Sequence, residues 1–287
     1  MRNFSGGKFA VGLIAAVILI GLPFFVEREL SQYYLYLTIK IIVWALFAMS
    51  FNLVLGYGGM MSFGHAAFFG SGAYTCALLL VKTSCPPALA FLAAPAAAAL
   101  VGLFMGYFSV RIRGIFYFAT LTLSFAQLLY ILVYKWRSFT YGDDGIQGIP
   151  VPEMLSTLDT YVNYYFFALA VTLICFYILW RIVRSPFGLM LRTLRENPER
   201  SSFIGMNVNN YRLIAFVISA SFSGGAGALY VFLETSLSPD VLFCRPSARA
   251  SWCSSTPFSR RTPNTGASFW ALRSSLSFSF FPWAWEA

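Results

Sequence analysis

"GYGGMMSFGHAAFFGSGAY", residues 56–74, puts six glycines and the chain's only histidine into a short stretch. Glycine costs about 1 kcal/mol against alanine inside a helix, so this density needs a cause. The apolar windows Tyr33–Leu55 and Met61–Val81, which adjoin or overlap the stretch, are each long enough to cross a bilayer. Its first part, Gly56–Gly59, holds three glycines in four residues and should interrupt a helix at the membrane face. Backbone broken at membrane depth is tolerated where it is buried in protein or lines a watery cavity, which is also where transport sites occur. Two readings stand side by side: the glycines serve close packing alone, or they also border a path.

Outward from this stretch, the 287 residues are 58% hydrophobic and only 11% charged, well below the roughly 25% of a soluble domain. The expected fold is an all-α, polytopic transmembrane bundle of about 7 spans. Beyond the two windows above, these fall at Phe9–Val26, Ala88–Val110, Ile115–Tyr134, Tyr161–Trp180 and Leu213–Phe232. No A-x-A-like cleavage site follows the first window, so residues 1–32 read as an N-terminal transmembrane helix, a signal sequence being the alternative. With the N-terminus in the cytoplasm, the basic residues of 1–8, 111–113 and 181–212 fall inside. The acids Glu27, Glu29, Asp143, Asp144, Glu153, Asp159, Glu234 and Asp240 fall outside. That asymmetry is the positive-inside pattern, and it accounts for a net charge of +9 without nucleic acid. Five cysteines show no CxxC spacing, so neither a metal site nor a disulfide framework is signalled.

Small residues at i, i+4 let membrane helices approach closely. Ser62–Ala66–Gly70 reads as one such ridge, and Ser219–Ser223–Gly227, Ala220–Gly224 and Ser221–Gly225 as three more. His65 has no acidic partner within a span. It reads as a hydrogen bond to a neighbouring helix, with a proton relay or ligand contact as the other possibility. Lys40, the one charge inside a span, lies near the outer end of its helix and is placed to snorkel outward. No phosphate loop, nucleophile elbow or H-E-x-x-H motif occurs, and one histidine cannot serve an ordinary Ser-His-Asp set, so no enzyme chemistry is indicated.

The inside loop 184–212 has the marks of two short helices. Ser185 and Pro186 start one that runs to about Glu196; Asn197 and Pro198 start a second, which Gly205 is placed to end. Leu191, Leu194, Phe203, Ile204 and Met206 are apolar residues in an arginine-rich loop, as in a helix that presses into a groove on a soluble partner. An amphipathic helix lying on lipid headgroups is the alternative.

Four motifs in order carry a resemblance. They are "FNLVLGYGGMMSFGHAAFFGSGAY" (51–74), "RIRGIFYFATLTLSFAQ" (111–127), "YGDDGIQGIP" (141–150) and "SPFGLMLRTLRENPERSSFIGMNVNNYRLIAFVISASFSGGAGALY" (185–230). Together they resemble the LivM-type permease subunits of branched-chain amino-acid ABC importers, over about residues 30–243. The resemblance implies a permease core at 33–243 in a bacterial inner membrane, working by alternating access. It implies a second permease subunit, two cytoplasmic ABC ATPase subunits that bind the ATP, and a periplasmic substrate-binding protein. This chain itself would hold no cofactor and no metal. Arg195, Glu196, Glu199, Phe203 and Gly205 fall in the ATPase-coupling segment, although the family's acid-alanine-alanine run stands here only as "ERSS". Asp143, Asp144 and Gln147 fall in the outer loop that would face the binding protein, and Gly58, Gly59, Ser62, His65, Ser221 and Gly224 beside the substrate path. Urea- and amide-type permeases share much of the pattern. A secondary carrier without an ATPase is the alternative from another class.

After Phe243 the character changes. Residues 244–287 contain no valine, isoleucine, methionine, lysine or tyrosine, yet hold four of the seven tryptophans. No window in this tail spans a bilayer, and its five arginines break the charge pattern. The tail reads as out of frame from about codon 243, or else as a disordered segment. A truncated, non-functional permease is then a further reading.

Overall fold

The computed structural model describes residues 32–241, apart from 84, 112–113, 151–160, 204 and 240. The expected helix at Phe9–Val26 and the 244–287 tail lie outside the described residues. Helix α1 (Gln32–Asn52) widens into a π-helical turn at Leu53–Tyr57 and stops at Gly58 and Gly59. Non-helical chain leads to α2 (His65–Lys82), followed by α3 (Pro87–Ser109), α4 (Ile115–Lys135) and the short α5 (Arg137–Thr140). Strand β1 (Ile146–Gln147) precedes α6 (Tyr161–Arg184), α7 (Pro186–Glu196), α8 (Pro198–Phe203) and α9 (Val208–Glu234), and β2 (Ser236–Leu237) follows.

Five of these helices are long and apolar enough to cross a membrane: those within Tyr33–Tyr57, Pro87–Ser109, Phe116–Lys135, Val162–Arg184 and Val208–Glu234. Helix α2 covers most of its expected window but is not among the five, because His65, Thr75, Lys82 and its glycines dilute its apolarity. The all-α bundle is thus observed, with five candidate spans among the described residues.

Helix α9 is the centre of the bundle. Of its apolar window 72% is buried, against 22–39% in the other four. It packs on α3, α2 and α1, and α6 packs on α1. Small residues decide these contacts. Helix α3 presents Ala90, Ala94, Ala98, Gly102 and Gly106, one every fourth residue and all buried. A Cβ on Gly102 would stand 2.5 Å from Ala220 Cβ, and one on Gly106 2.8 Å from Leu213 Cδ1. On the α2 side, a Cβ on Gly72 would collide with the backbone of Gly224, and one on Gly227 with the carbonyl of Phe69. Backbone therefore meets backbone, the packing that membrane helices use in place of hydrophobic exclusion. The α9 ridge at Ala220–Gly224 is borne out. The Ser62–Ala66–Gly70 ridge is not: Ser62 lies before the start of α2, and the close contact runs through Phe69, Gly72 and Ala73 instead.

Two ties hold the rim. Tyr164 Oη of α6 donates to the carbonyl of Leu229 on α9 at 2.5 Å, entirely buried. Strands β1 and β2 pair antiparallel, Ile146 opposite Leu237 and Gln147 opposite Ser236.

Candidate functional site at the broken helix

The break in α1 follows from its residues. The π turn closes with Gly58 N–H donating to Leu53 O at 3.1 Å, and Met60 N–H donating to Val54 O at 3.1 Å. Gly59 then adopts φ +64°, a left-handed conformation that favours glycine. A Cβ on Gly58 would stand 2.8 Å from Val54 O, and one on Gly59 2.8 Å from Arg195 Cγ. Turns of π type recur at functional sites in helices.

Arg195 lies against Gly59 because α7 docks on the broken end. Its guanidinium donates to Gly56 O, one of the carbonyls freed where the helix stops. The Arg192 guanidinium lies 5.1 Å from the centroid of the Tyr57 ring. A cavity of about 650 Å³ opens there, lined by Asn52, Gly56, Tyr57, Arg192, Arg195 and Glu196. The apolar face of α7 turns inward: Leu191 and Leu194 are fully buried in a cluster with Leu53, Val54, Met60 and Leu179. This corrects the expectation that those leucines are offered to a partner; the protein's own core takes them up. Phe203 on α8 remains 88% exposed, and Glu196, Glu199 and Gly205 are also exposed.

The helix ends match the sequence signals with one exception. Asn197 Oδ1 accepts from Arg200 N at 3.0 Å, capping α8. Gly205, at φ +86°, ends α8 through bonds from Gly205 N to Ser202 O (3.0 Å) and Met206 N to Ser201 O (3.2 Å), the Schellman pattern. Ser185 stands at the first cap position, but its hydroxyl donates back to Ile182 O at 2.6 Å and does not cap α7.

His65 opens α2 and joins three helices. Its Nε2 lies 3.3 Å from Ser50 Oγ on α1 and 3.3 Å from Ser219 Oγ on α9. Ser50 Oγ donates to Phe47 O, and Ser219 Oγ donates to Ser50 O. With both hydroxyl protons so placed, the two oxygens can only accept, which makes Nε2 the protonated nitrogen. The ring sits among Phe47, Phe51 and Phe68. An interhelical hydrogen bond is thus observed for His65. Its partners, Ser50 and Ser219, are not among the residues the sequence singles out for a site, where Ser219 marks only a packing ridge. Of the remaining path candidates, Ser62 is buried, Ser221 is partly buried, and Gly224 sits in the helix crossing with Ala98 against it.

At the opposite end, Asp143 and Asp144 belong to a tight turn at Gly142–Asp144, and Gln147 lies exposed on β1. Ile149 N–H donates to Thr235 O at 3.2 Å, so this loop is tied to the chain that leaves α9. Lys40, expected to reach outward, is held in an ion pair. Its Nζ lies 2.6 Å from Glu234 Oε1, and Glu234, expected in an outer loop, is the last residue of α9.

Apolar helices of spanning length around a small-residue core define a multi-pass helical membrane protein. Comparison with known proteins carries this to a family: the model described as "Branched-chain amino acid transport system / permease component" matches residues 33–246, and the chain belongs to that family. It is 28% identical, over 86% of its length, to the high-affinity branched-chain amino acid transport system permease protein LivM of Escherichia coli. The LivM protein of Salmonella typhimurium matches to the same extent, and the chain spans 66% of the length of each. A shorter likeness, 34% over 86 residues (30% of this chain, 26% of the relative), links it to the guanosine ABC transporter permease protein NupQ of Bacillus subtilis. No solved structure matches the chain.

Proposed function

We propose that this chain is a transmembrane permease subunit of an ABC importer for branched-chain amino acids, seated in a bacterial inner membrane with its N-terminus in the cytoplasm. A second permease subunit completes the path, two cytoplasmic ATPases bind the ATP and drive it, and a periplasmic binding protein delivers substrate to the loop of Asp143, Asp144 and Gln147. The observation that carries this reading is the contact of Arg195 with Gly56 O: α7, which leads directly into the exposed α8, rests on the broken end of a spanning helix. A push on Glu196, Glu199, Phe203 or Gly205 from a soluble partner is then felt at Gly58 and Gly59, where the helix is weakest. Ser62, His65, Ser221 and Gly224 belong, in this reading, to the helices flanking the path. Only a partner that binds two states differently can shift them, and ATP-driven closure of the ATPases supplies that difference.

Phe203→Asp tests it, since an 88% exposed ring contributes little to folding. The wild-type chain, purified from its native membrane, should bring an ABC-type ATPase with it and support ATP-dependent uptake of L-leucine. The variant should reach the membrane in normal amount and lose the ATPase. Retention of both ATPase and uptake would refute the coupling assignment, and uptake without any ATPase would favour a secondary carrier.

A further inference from the structure

We propose that the cavity at the junction of α1 and α7 holds the headgroup of a membrane phosphatidylethanolamine, Arg192 and Arg195 taking its phosphate and Glu196 its ammonium. In the orientation proposed above, the lipid belongs to the cytoplasmic leaflet.

The walls come from two elements. The last residue of α1 and the π turn supply Asn52, Gly56 and Tyr57; α7 supplies Arg192, Arg195 and Glu196, around about 650 Å³. The three α7 residues stand at i, i+3 and i+4, so they share one face of the helix. All three are exposed, and among the described residues none of them forms an ion pair. Both guanidiniums are nevertheless held in place. Arg195 donates through one nitrogen to Gly56 O, and Arg192 lies 5.1 Å from the centroid of the Tyr57 ring. A guanidinium carries five N–H donors, so these contacts leave most of each fork open. Forks steadied by a ring and by a backbone carbonyl are prepared to grip phosphate oxygens.

The level of the cavity favours a lipid over a soluble anion. Tyr33–Tyr57 is long and apolar enough to cross a membrane, and the cavity opens at its end. That end is the headgroup level, where tyrosine collects and arginine meets anionic lipid groups. Apolar surface lies beside the charges: Leu189, one turn before Arg192 on α7, is 63% exposed, and Leu55, next to Gly56, 37%. Acyl chains cover such residues while the headgroup meets the arginines. Glu196 then sets the headgroup. A carboxylate in the wall opposes a lipid whose headgroup is only negative, but it accepts from an ammonium. Phosphoethanolamine carries both charges within reach of one helical turn, as the arginines and Glu196 do. Choline has the same charge with no N–H to donate. A phosphate shared by Arg192 and Arg195, which both touch the broken end of α1, would brace α7 against it.

The test is lipid retention by the full chain, purified in mild detergent with whatever subunits accompany it and read by native mass spectrometry. The wild type, Arg192→Gln and Glu196→Gln are each loaded with phosphatidylethanolamine or phosphatidylcholine of the same acyl chains. Loss of one charge-assisted contact should lower retention of both lipids in Arg192→Gln by about tenfold, at an unchanged unfolding midpoint. The wild type should prefer phosphatidylethanolamine to phosphatidylcholine by a similar factor, and Glu196→Gln should erase that preference. The Glu196→Gln arm reads the site even where Arg192→Gln fails to fold. Equal retention of the two lipids by the wild type would overturn the proposal, as would undiminished retention by a folded Arg192→Gln. Displacement of the lipid by inorganic phosphate would show a site for a soluble anion, and displacement by L-leucine a substrate site; either would also overturn it. None of these readouts involves transport or ATP, so failure of the importer reading would be seen separately.

Discussion

At the scale of single residues, the space beside each glycine separates those that cannot be changed from those that can. A Cβ at Gly72 would run into the Gly224 backbone, whereas one at Gly225 would meet only Pro95 Cγ, at an ordinary 3.7 Å. Gly72→Ala should therefore cost about 1–3 kcal/mol by overpacking. Gly225→Ala should be neutral, or stabilising by up to about 1 kcal/mol through helix propensity. Thermal unfolding in detergent distinguishes the two, and equal effects would refute the seam as described. Ser219→Ala should cost about 1 kcal/mol, since it removes the donor to Ser50 O and one acceptor for His65. Nitrogen NMR of the single histidine should then report the Nε2-protonated form in the unmodified protein.

At the scale of elements, α7 shows how far a sequence carries and where it stops. Its start at Pro186, its end near Glu196, the Asn197 cap and the Gly205 terminator were all legible, because each rests on a local backbone preference of one residue type. The break at Gly58 and Gly59 was legible for the same reason. Which surface covers an apolar face was not. Leu191 and Leu194 announce that α7 has a buried side, but the periodicity is the same whether the cover is a foreign groove or the protein's own Leu53 and Val54. Likewise the window Ala88–Val110 reads as a span, and nothing local in it says that its alanines meet α9. Lys40 and Glu234 lie far apart in sequence, so nothing local could pair them. The inward face of α7 makes a contrast that can be measured. Leu194→Ala should cost about 2–5 kcal/mol, while Phe203→Ala on the exposed α8 should leave the unfolding midpoint unchanged.

At the scale of the whole molecule, the two-strand ladder joins the 142–150 loop to the end of α9. Gln147 and Ser236 stand directly opposite each other, so the pair Gln147→Cys/Ser236→Cys should form a disulfide under mild oxidation, visible as a mobility shift that reductant reverses. Gln147→Cys paired with Glu196→Cys, a residue of the α7 end of the bundle, should not. Failure of the first pair to form would refute the ladder.

The backbone-to-backbone seam of α2, α3 and α9 also bears on the order in which the protein can be made. Val208 follows Ser109 by roughly a hundred residues, and at a synthesis rate of ~5–20 residues per second that is a delay of roughly 5–20 s. During that time α2 and α3 sit in the bilayer with their flattest faces covered only by lipid. Because the closest approaches at this seam are made by glycine and alanine, waiting exposes little that is polar there. The late helix acts as the keystone: a nascent chain halted before Val208 would hold the α2–α3 and α1–α6 pairs without the helix on which α1, α2 and α3 all pack, and is the form that membrane proteolysis should remove.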